Sequence, residues 1–217
     1  MKRILLALMA MMVLSPALMA SDKKKKAAEQ KSEAAKTPEA ASKENKDASE
    51  INWLSIDEVQ AKMRQEPRKV FMDMYTDWCG WCKRMEATTF HNPNVVKYMN
   101  EKYYCVRFNA ERKDTIRFMG KYYYFDPEKK ANTLAYEFMR GQLSYPTGIF
   151  LEERFQNPIP VPGYQDVKTW EVIVKYIGDN AYKGQNFQDY QKSFISGWDM
   201  DPAAAPRATP DSPPVHQ

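Results

Sequence analysis

Two of the three cysteines of this 217-residue chain stand within one helical turn of each other, in Tyr75-Thr-Asp-Trp-Cys-Gly-Trp-Cys-Lys83. What flanks them restricts the fold. Upstream, Lys69–Tyr75 (KVFMDMY) is a short apolar run rich in strand formers, interrupted only by Asp73, and reads as a buried strand. Downstream, after a turn at Thr76-Asp77, Cys79–Phe90 (CGWCKRMEATTF) reads as a helix. The pair therefore falls at a strand-to-helix junction.

Cysteines at this spacing admit three roles. A zinc clip needs about four ligands, usually a second Cys or His pair at similar spacing. Cys105, His91 and His216 form no such pair, so neither a metal nor a cofactor is expected. A purely structural bridge would close a very short loop, which restricts the unfolded chain little. The redox role has the most direct physical basis. Helix N-termini leave backbone N–H groups unpaired and carry about half a positive charge, and a thiol placed there is stabilised as thiolate. Cys79 is then the attacking sulfur, reachable by solvent, and Cys82, one turn further and more buried, the resolving sulfur. Lys83 adds positive charge nearby or is simply a solvated helix residue. Cys105 lies in a strand with Tyr104, Val106 and Phe108, where a small buried hydrophobe is the default.

The remaining elements are read from period and punctuation. Ser55 and Glu58 have capping-box spacing, followed by Ile56, Val59 and Met63 at helical intervals, and Pro67 ends that helix. A short helix is expected in NPNVVKYMNEK, with Pro93 in its first turn, and a second strand over Tyr103–Asn109. TIRFMGKYYYFDP reads as a hairpin turning at Met119-Gly120. ANTLAYEFMRG is a helix closed by Gly141, SYPTGIFLEE a third strand, and PIPVPGY a loop. Trp170, Ile173, Val174 and Ile177 mark a further helix, and FQDYQKSF a small final one. The alternation of helices and strands predicts an α/β fold with helices on both faces of the sheet.

The ends have a different character. Lys2 and Arg3, the apolar run Ile4–Leu14, Pro16 and the small residues up to Ala20 have the order of an export signal, 1–20. Residues 21–50 hold eight lysines against seven acids and no aromatic residue, so they read as a solvated linker. Residues 51–195 form one compact domain, and the Pro/Ala-rich stretch 196–217 reads as a disordered tail. The net charge is +4, of which Lys2 and Arg3 supply two, so nothing points to nucleic acid.

The segment Trp78–Lys83 (WCGWCK) resembles the thioredoxin motif, in which Trp precedes Cys-x-x-Cys and Lys follows. More narrowly, the chain is similar to exported thioredoxin-like proteins of bacterial envelopes, through WCGWCK, Thr88-Thr89-Phe90 and Gly141-Gln-Leu-Ser-Tyr-Pro-Thr147. The resemblance covers about residues 51–182. It implies a thioredoxin-like fold, a central mixed sheet with helices on both faces, into which the β-hairpin read above is inserted. It also implies that Asp73 is the buried acid that takes the proton of the resolving thiol, and that Tyr145-Pro146-Thr147 is a cis-proline loop lying beside the disulfide. Trp78, Gly80, Trp81, Tyr145, Pro146 and Thr147 are then the substrate-binding residues, and Gly163-Tyr164 before the last long helix fits the family too. Three departures stand out: Trp81 replaces the proline between the cysteines, Ala87 replaces a helix-kinking proline, and the hairpin Thr115–Phe125 is extra.

Two functions follow as expectations. The first is an exported, periplasmic thiol–disulfide oxidoreductase using Cys79, Cys82 and Asp73. It would reduce or isomerise disulfides of envelope proteins as a monomer, supplied by a membrane-bound thiol electron donor. The second is a binding or scaffold module that holds an envelope partner through Tyr122–Phe125, with a non-catalytic or sensing cysteine pair.

Overall fold

The computed structural model describes residues 49–198; the expected signal at 1–20, nearly all of the linker at 21–50 and the tail past Trp198 lie outside the described residues. In chain order the elements are β1 (Trp53–Leu54), α1 (Ile56–Gln65), β2 (Lys69–Tyr75), α2 (Gly80–Met85), a π turn (Glu86–Phe90), α3 (Pro93–Lys102) and β3 (Tyr103–Asn109). The inserted hairpin β4 (Ile116–Phe118) and β5 (Lys121–Tyr123) follows, then β6 (Phe125–Asp126), β7 (Ala131–Asn132) and α4 (Thr133–Phe138). β8 (Thr147–Glu152), β9 (Gln156–Pro162), α5 (Val167–Gly178) and α6 (Phe187–Ser193) complete the domain.

The main sheet runs β1-β3-β2-β8-β9, with β1, β2 and β3 parallel and β8 and β9 antiparallel to their neighbours. It is a mixed sheet with helices on both faces, as expected. β2 is buried on both sides, and its alternation sorts its side chains into two cores. Val70, Met72 and Met74 join Ile56, Val59 and Met63 of α1 and Leu134, Ala135 and Phe138 of α4. Phe71 joins Met85, Phe90, Val95, Met99 and Trp170 on the opposite face. Its ring meets those of Trp53, Phe90, Phe150 and Trp170 at 6.2, 5.8, 5.2 and 5.1 Å. Gly148, its diagonal neighbour on β8, is required by that ring: a Cβ there would come within 2.9 Å of Phe71 Cε2.

Local signals place the helices. Ser55 and Glu58 form the expected reciprocal capping box. Asn92 caps α3 with Pro93 in its first turn, and Asp166 caps α5. The hairpin turns where expected, with Met119 and Gly120 both at positive φ (50° and 80°).

Four details depart from expectation. β1, two residues long and parallel to β3, is additional. The helix from the cysteine pair to Phe90 is not uniform: it passes from α2 into the π turn at Glu86, so Ala87 lies in a π turn where the resembling family has proline. The helix expected from Ala131 starts only at Thr133, because Asn132 caps it and residues 125–132 form a second small hairpin. Finally, the expected loop Pro158–Tyr164 is largely the edge strand β9. Pro158, Pro160 and Pro162 share one parity, which leaves the N–H groups of Ile159 and Val161 to face β8 and turns the missing donors outward. At the C-terminal end packing continues beyond residue 195: the buried Glu171 carboxylate accepts from Ser196 Oγ and from the N–H groups of Gly197 and Trp198.

Phe71→Ala is expected to cost about 3–5 kcal/mol, the usual range for emptying an aromatic site, read as a lowered urea midpoint.

Candidate active site

The C-terminal end of β2 delivers the chain to the cysteine pair. The strand ends at Tyr75, Cys79 N–H donates to the Thr76 carbonyl, and Cys79 becomes the N-cap of α2. Its Sγ accepts the Cys82 N–H at 3.1 Å, and its carbonyl accepts from Lys83 N–H. Cys79 and Cys82 are joined as a disulfide, with Cα atoms 5.3 Å apart. The expected difference in exposure is not seen: each cysteine is 4% exposed.

Two aromatic walls flank the pair. Trp78, 67% exposed, is held by its indole N–H to Glu111 and by an edge contact to Tyr145 at 5.9 Å. Trp81, 56% exposed, leans on Tyr164 at 5.4 Å, with the Arg84 guanidinium over both rings. Gly80, between them, is exposed, and a Cβ there would meet nothing within 4 Å. The Trp78–Tyr145 contact brings in the loop before β8. Tyr145–Pro146 is a cis peptide, the Pro146 carbonyl accepts from Gly163 N–H, and the buried Thr147 hydroxyl donates to the Ser144 carbonyl. Burial pushes the Tyr145 hydroxyl up to about 12. The Thr88-Thr89-Phe90 segment ties the cysteine-bearing helix to the same region. Thr88 Oγ1 bonds the Tyr164 hydroxyl, Thr89 Oγ1 donates to the Gln165 carbonyl, and Phe90 enters the aromatic core.

Near the end of β2, six residues before Cys79, lies Asp73. It shares the parity of Phe71, so it faces the side of the sheet covered by α2, and it is 3% exposed. Arg107, its register partner on β3, approaches it through Nε at 3.6 Å. The two terminal nitrogens of Arg107 are both engaged by Glu86 at the start of the π turn, and its Nε has no hydrogen-bond partner. Burial pushes the Asp73 carboxyl up to about 7; the Arg107 cation opposes this and the Glu86 anion adds to it. Glu86 itself is held below its ordinary value, first by its bonds from Arg107.

Arg107, Glu86, Tyr164 and Glu111 were not anticipated as site residues. The first had a signal of the same kind as Asp73: it is the one charge inside the otherwise apolar run Tyr103–Phe108. Cys105 is apart from this constellation, fully buried, with its thiol raised well above the usual range by burial. Among the described residues no group of three His, Cys, Asp or Glu could hold a metal ion.

The family model Thioredox_DsbH, described as a protein of unknown function, DUF255, matches residues 39–164, more than half of the chain. The chain belongs to this family. Among curated proteins it is 32% identical over 68 residues to the thiol:disulfide interchange protein DsbD of Vibrio vulnificus strain YJ016, over 29% of this chain and 11% of that protein. The DsbD of strain CMCP6 matches at 32% over 66 residues, also 11% of its length. The match thus spans about a tenth of these relatives. Among solved structures the chain is similar to a DsbH oxidoreductase (TM-score 0.42, 15% identity, 63% of this chain and 87% of that one). It is also similar to the reduced C-terminal domain of Neisseria meningitidis DsbD (TM-score 0.37, 18% identity, 65% and 100%). The matching family model and the mixed sheet with helices on both faces make the fold thioredoxin-like.

A carboxyl raised by burial has a definite signature in stability. Unfolded, Asp73 titrates near ~3.9; folded, it holds its proton up to about 7. Its contribution is therefore fully present below the unfolded value and is lost as pH rises through the folded one. The stability of the oxidised protein relative to an Asp73→Asn variant should fall by about 1.4 kcal/mol per pH unit across that window, measured by urea unfolding of both.

Proposed function

We propose that this chain is an exported thiol–disulfide oxidoreductase that reduces or isomerises disulfides of envelope proteins through Cys79 and Cys82. One observation carries the reading: the Cys79 sulfur accepts the Cys82 amide in the first turn of α2 while bonded to the Cys82 sulfur one turn along the same helix. In the reduced state that amide and the helix N-terminus favour the Cys79 thiolate. The thiolate attacks one sulfur of a substrate disulfide; a mixed disulfide forms and the other substrate sulfur leaves as a thiolate. Cys82 then loses its proton to Asp73 and attacks Cys79 Sγ, forming the Cys79–Cys82 disulfide and releasing the substrate with both sulfurs reduced.

The surroundings suit these steps. Trp78, Trp81 and Tyr145 offer apolar surface on either side of the disulfide, with Gly80 leaving the backbone bare between them. The Tyr145–Thr147 loop is the segment along which a substrate backbone would lie. Two electrons per cycle must return to the pair from a dithiol, which we assign to a membrane-bound thiol donor; that the similar curated proteins are thiol:disulfide interchange proteins supports dithiol exchange of this kind. No helix among the described residues is long and apolar enough to cross a membrane.

Insulin reduction with a thiol donor tests this. Cys79→Ser should bring turnover to background, whereas Cys82→Ser should stop turnover but accumulate mixed disulfides on Cys79, visible on non-reducing gels. Asp73→Asn should slow resolution by about 10²-fold or more, the usual contribution of a positioned base, and remove the rise in rate through pH 7. Full turnover by Cys79→Ser would sink the reading.

A further inference from the structure

We propose that the groove between the inserted hairpin and α1 is a second binding site, which takes a segment of another protein presenting a bulky apolar side chain flanked by carboxylates. The groove, about 430 Å³, has an apolar lining of Met63, Pro67, Met119 and Phe155, with Arg64 and Arg154 at its edges. An adjoining lobe shares Arg64 and Met119 and adds Arg117, with Asp57 as its one acid. No carboxylate among the described residues forms an ion pair with any of these three arginines. Two cations lining an apolar groove and a third in the adjoining lobe, over the Tyr122 ring, complement a chain that brings its own anions together with something to bury. Guanidinium forks suit carboxylates in particular.

Both walls are held in place before anything binds. On one side the Gln60 side chain clamps the hairpin tip to α1: its Nε2 donates to the Arg117 carbonyl and its Oε1 accepts Met119 N–H. Met119 is thereby kept 58% exposed at a positive φ. On the other side Arg154 and Phe155 both lie at φ 62°, a left-handed backbone that non-glycine residues adopt at a cost. The ring of Phe155 is fixed against Phe118 at 4.8 Å. An exposed methionine and a backbone held against its preference are conformations that burial against a partner would use.

The position is as informative as the lining. Pro67 precedes β2, and Arg154 and Phe155 follow β8, which pairs Val70 with Leu151. The groove therefore lies at the N-terminal end of β2, and the cysteine pair follows its C-terminal end, roughly 20 Å away along seven residues. A segment seated in the groove leaves Cys79 uncovered, so docking there is independent of disulfide exchange.

The test uses a labelled nonapeptide with a central Leu–Phe pair between paired glutamates, a control with lysines in place of the glutamates, and vesicles of phosphatidylglycerol. Anisotropy should show binding of the acidic peptide alone, and amide NMR shifts should map it to Gly120 and Arg154. The double variant Arg64→Glu/Arg154→Glu should weaken it by about tenfold or more, and Met119→Ser, which leaves the charges in place, should weaken it too. Insulin turnover should be unchanged in both. Failure of the acidic peptide to bind, equal binding of the lysine peptide or the vesicles, or binding that survives both variants overturns the proposal.

Discussion

A helix that begins inside a protein needs acceptors for its first amides, and at the start of α2 the acceptor is a sulfur. Elsewhere in the domain the task falls to oxygen: Ser55, Asn92, Asn132, Asp166 and Asn186 each cap their helix through a side-chain oxygen. Neutral sulfur is a weak acceptor, so the cap is poor in the oxidised state. It becomes a charge-assisted hydrogen bond when the sulfur carries a full negative charge. The local requirement of the helix and the requirement of a low-pKa thiol are met by the same Cys82 amide. The turn that presents it is held from the end of β3 and the turn after it, where Asn109 bonds Asp77 and Glu111 bonds Trp78.

Asp73 obeys the opposite logic. It lies on the central strand of the sheet, under the helix, where taking a carboxylate out of water costs several kcal/mol. Arg107 could offset that, but Glu86 occupies both of its terminal nitrogens and leaves only Nε, at 3.6 Å and without a hydrogen bond, toward Asp73. Arg107 is shared: its hydrogen-bonded pairing goes to Glu86, and Asp73 keeps only the longer ionic contact. Burial therefore dominates, and the carboxyl changes charge near pH 7. A carboxyl in the ordinary range would be too weak a base to take a thiol proton at neutral pH, and one raised much further would never be free to take it.

Much of this could be read from the chain because its signals are local. The capping box at Ser55, the turn at Met119-Gly120 and the two-sided burial of Lys69–Tyr75 each depend on a few adjacent residues, and all three are present. What could not be read depends on partners distant in sequence. Pro158, Pro160 and Pro162 argue for a loop until the strand is known to be at an edge, where three absent donors cost nothing. The π turn at Glu86 has no punctuation of its own, since Ala87 favours ordinary helix; it is tied in place by Glu86 to Arg107, Thr88 to Tyr164 and Thr89 to Gln165. Glu86 itself is an ordinary helix acid by sequence, and its importance appears only once β3 lies beneath it. The burial of Asp73 was legible from its apolar neighbours, but its balance of charges was not.

The two large side chains left in solvent beside the disulfide complete the physical picture. Trp78 and Trp81 each expose more than half of their surface. A protein with two aromatic-rich cores has no shortage of places to bury indole. Each is instead pinned from the side, Trp78 by Glu111 and Tyr145, Trp81 by Tyr164 and Arg84. Pinning removes rotamer freedom before any ligand arrives, so apolar contact with these rings carries little ordering cost. The acid Glu111 lies on the Trp78 side and the base Arg84 on the Trp81 side. A polypeptide crossing the disulfide would thus meet opposite charges at its two ends, which favours one chain direction over the other.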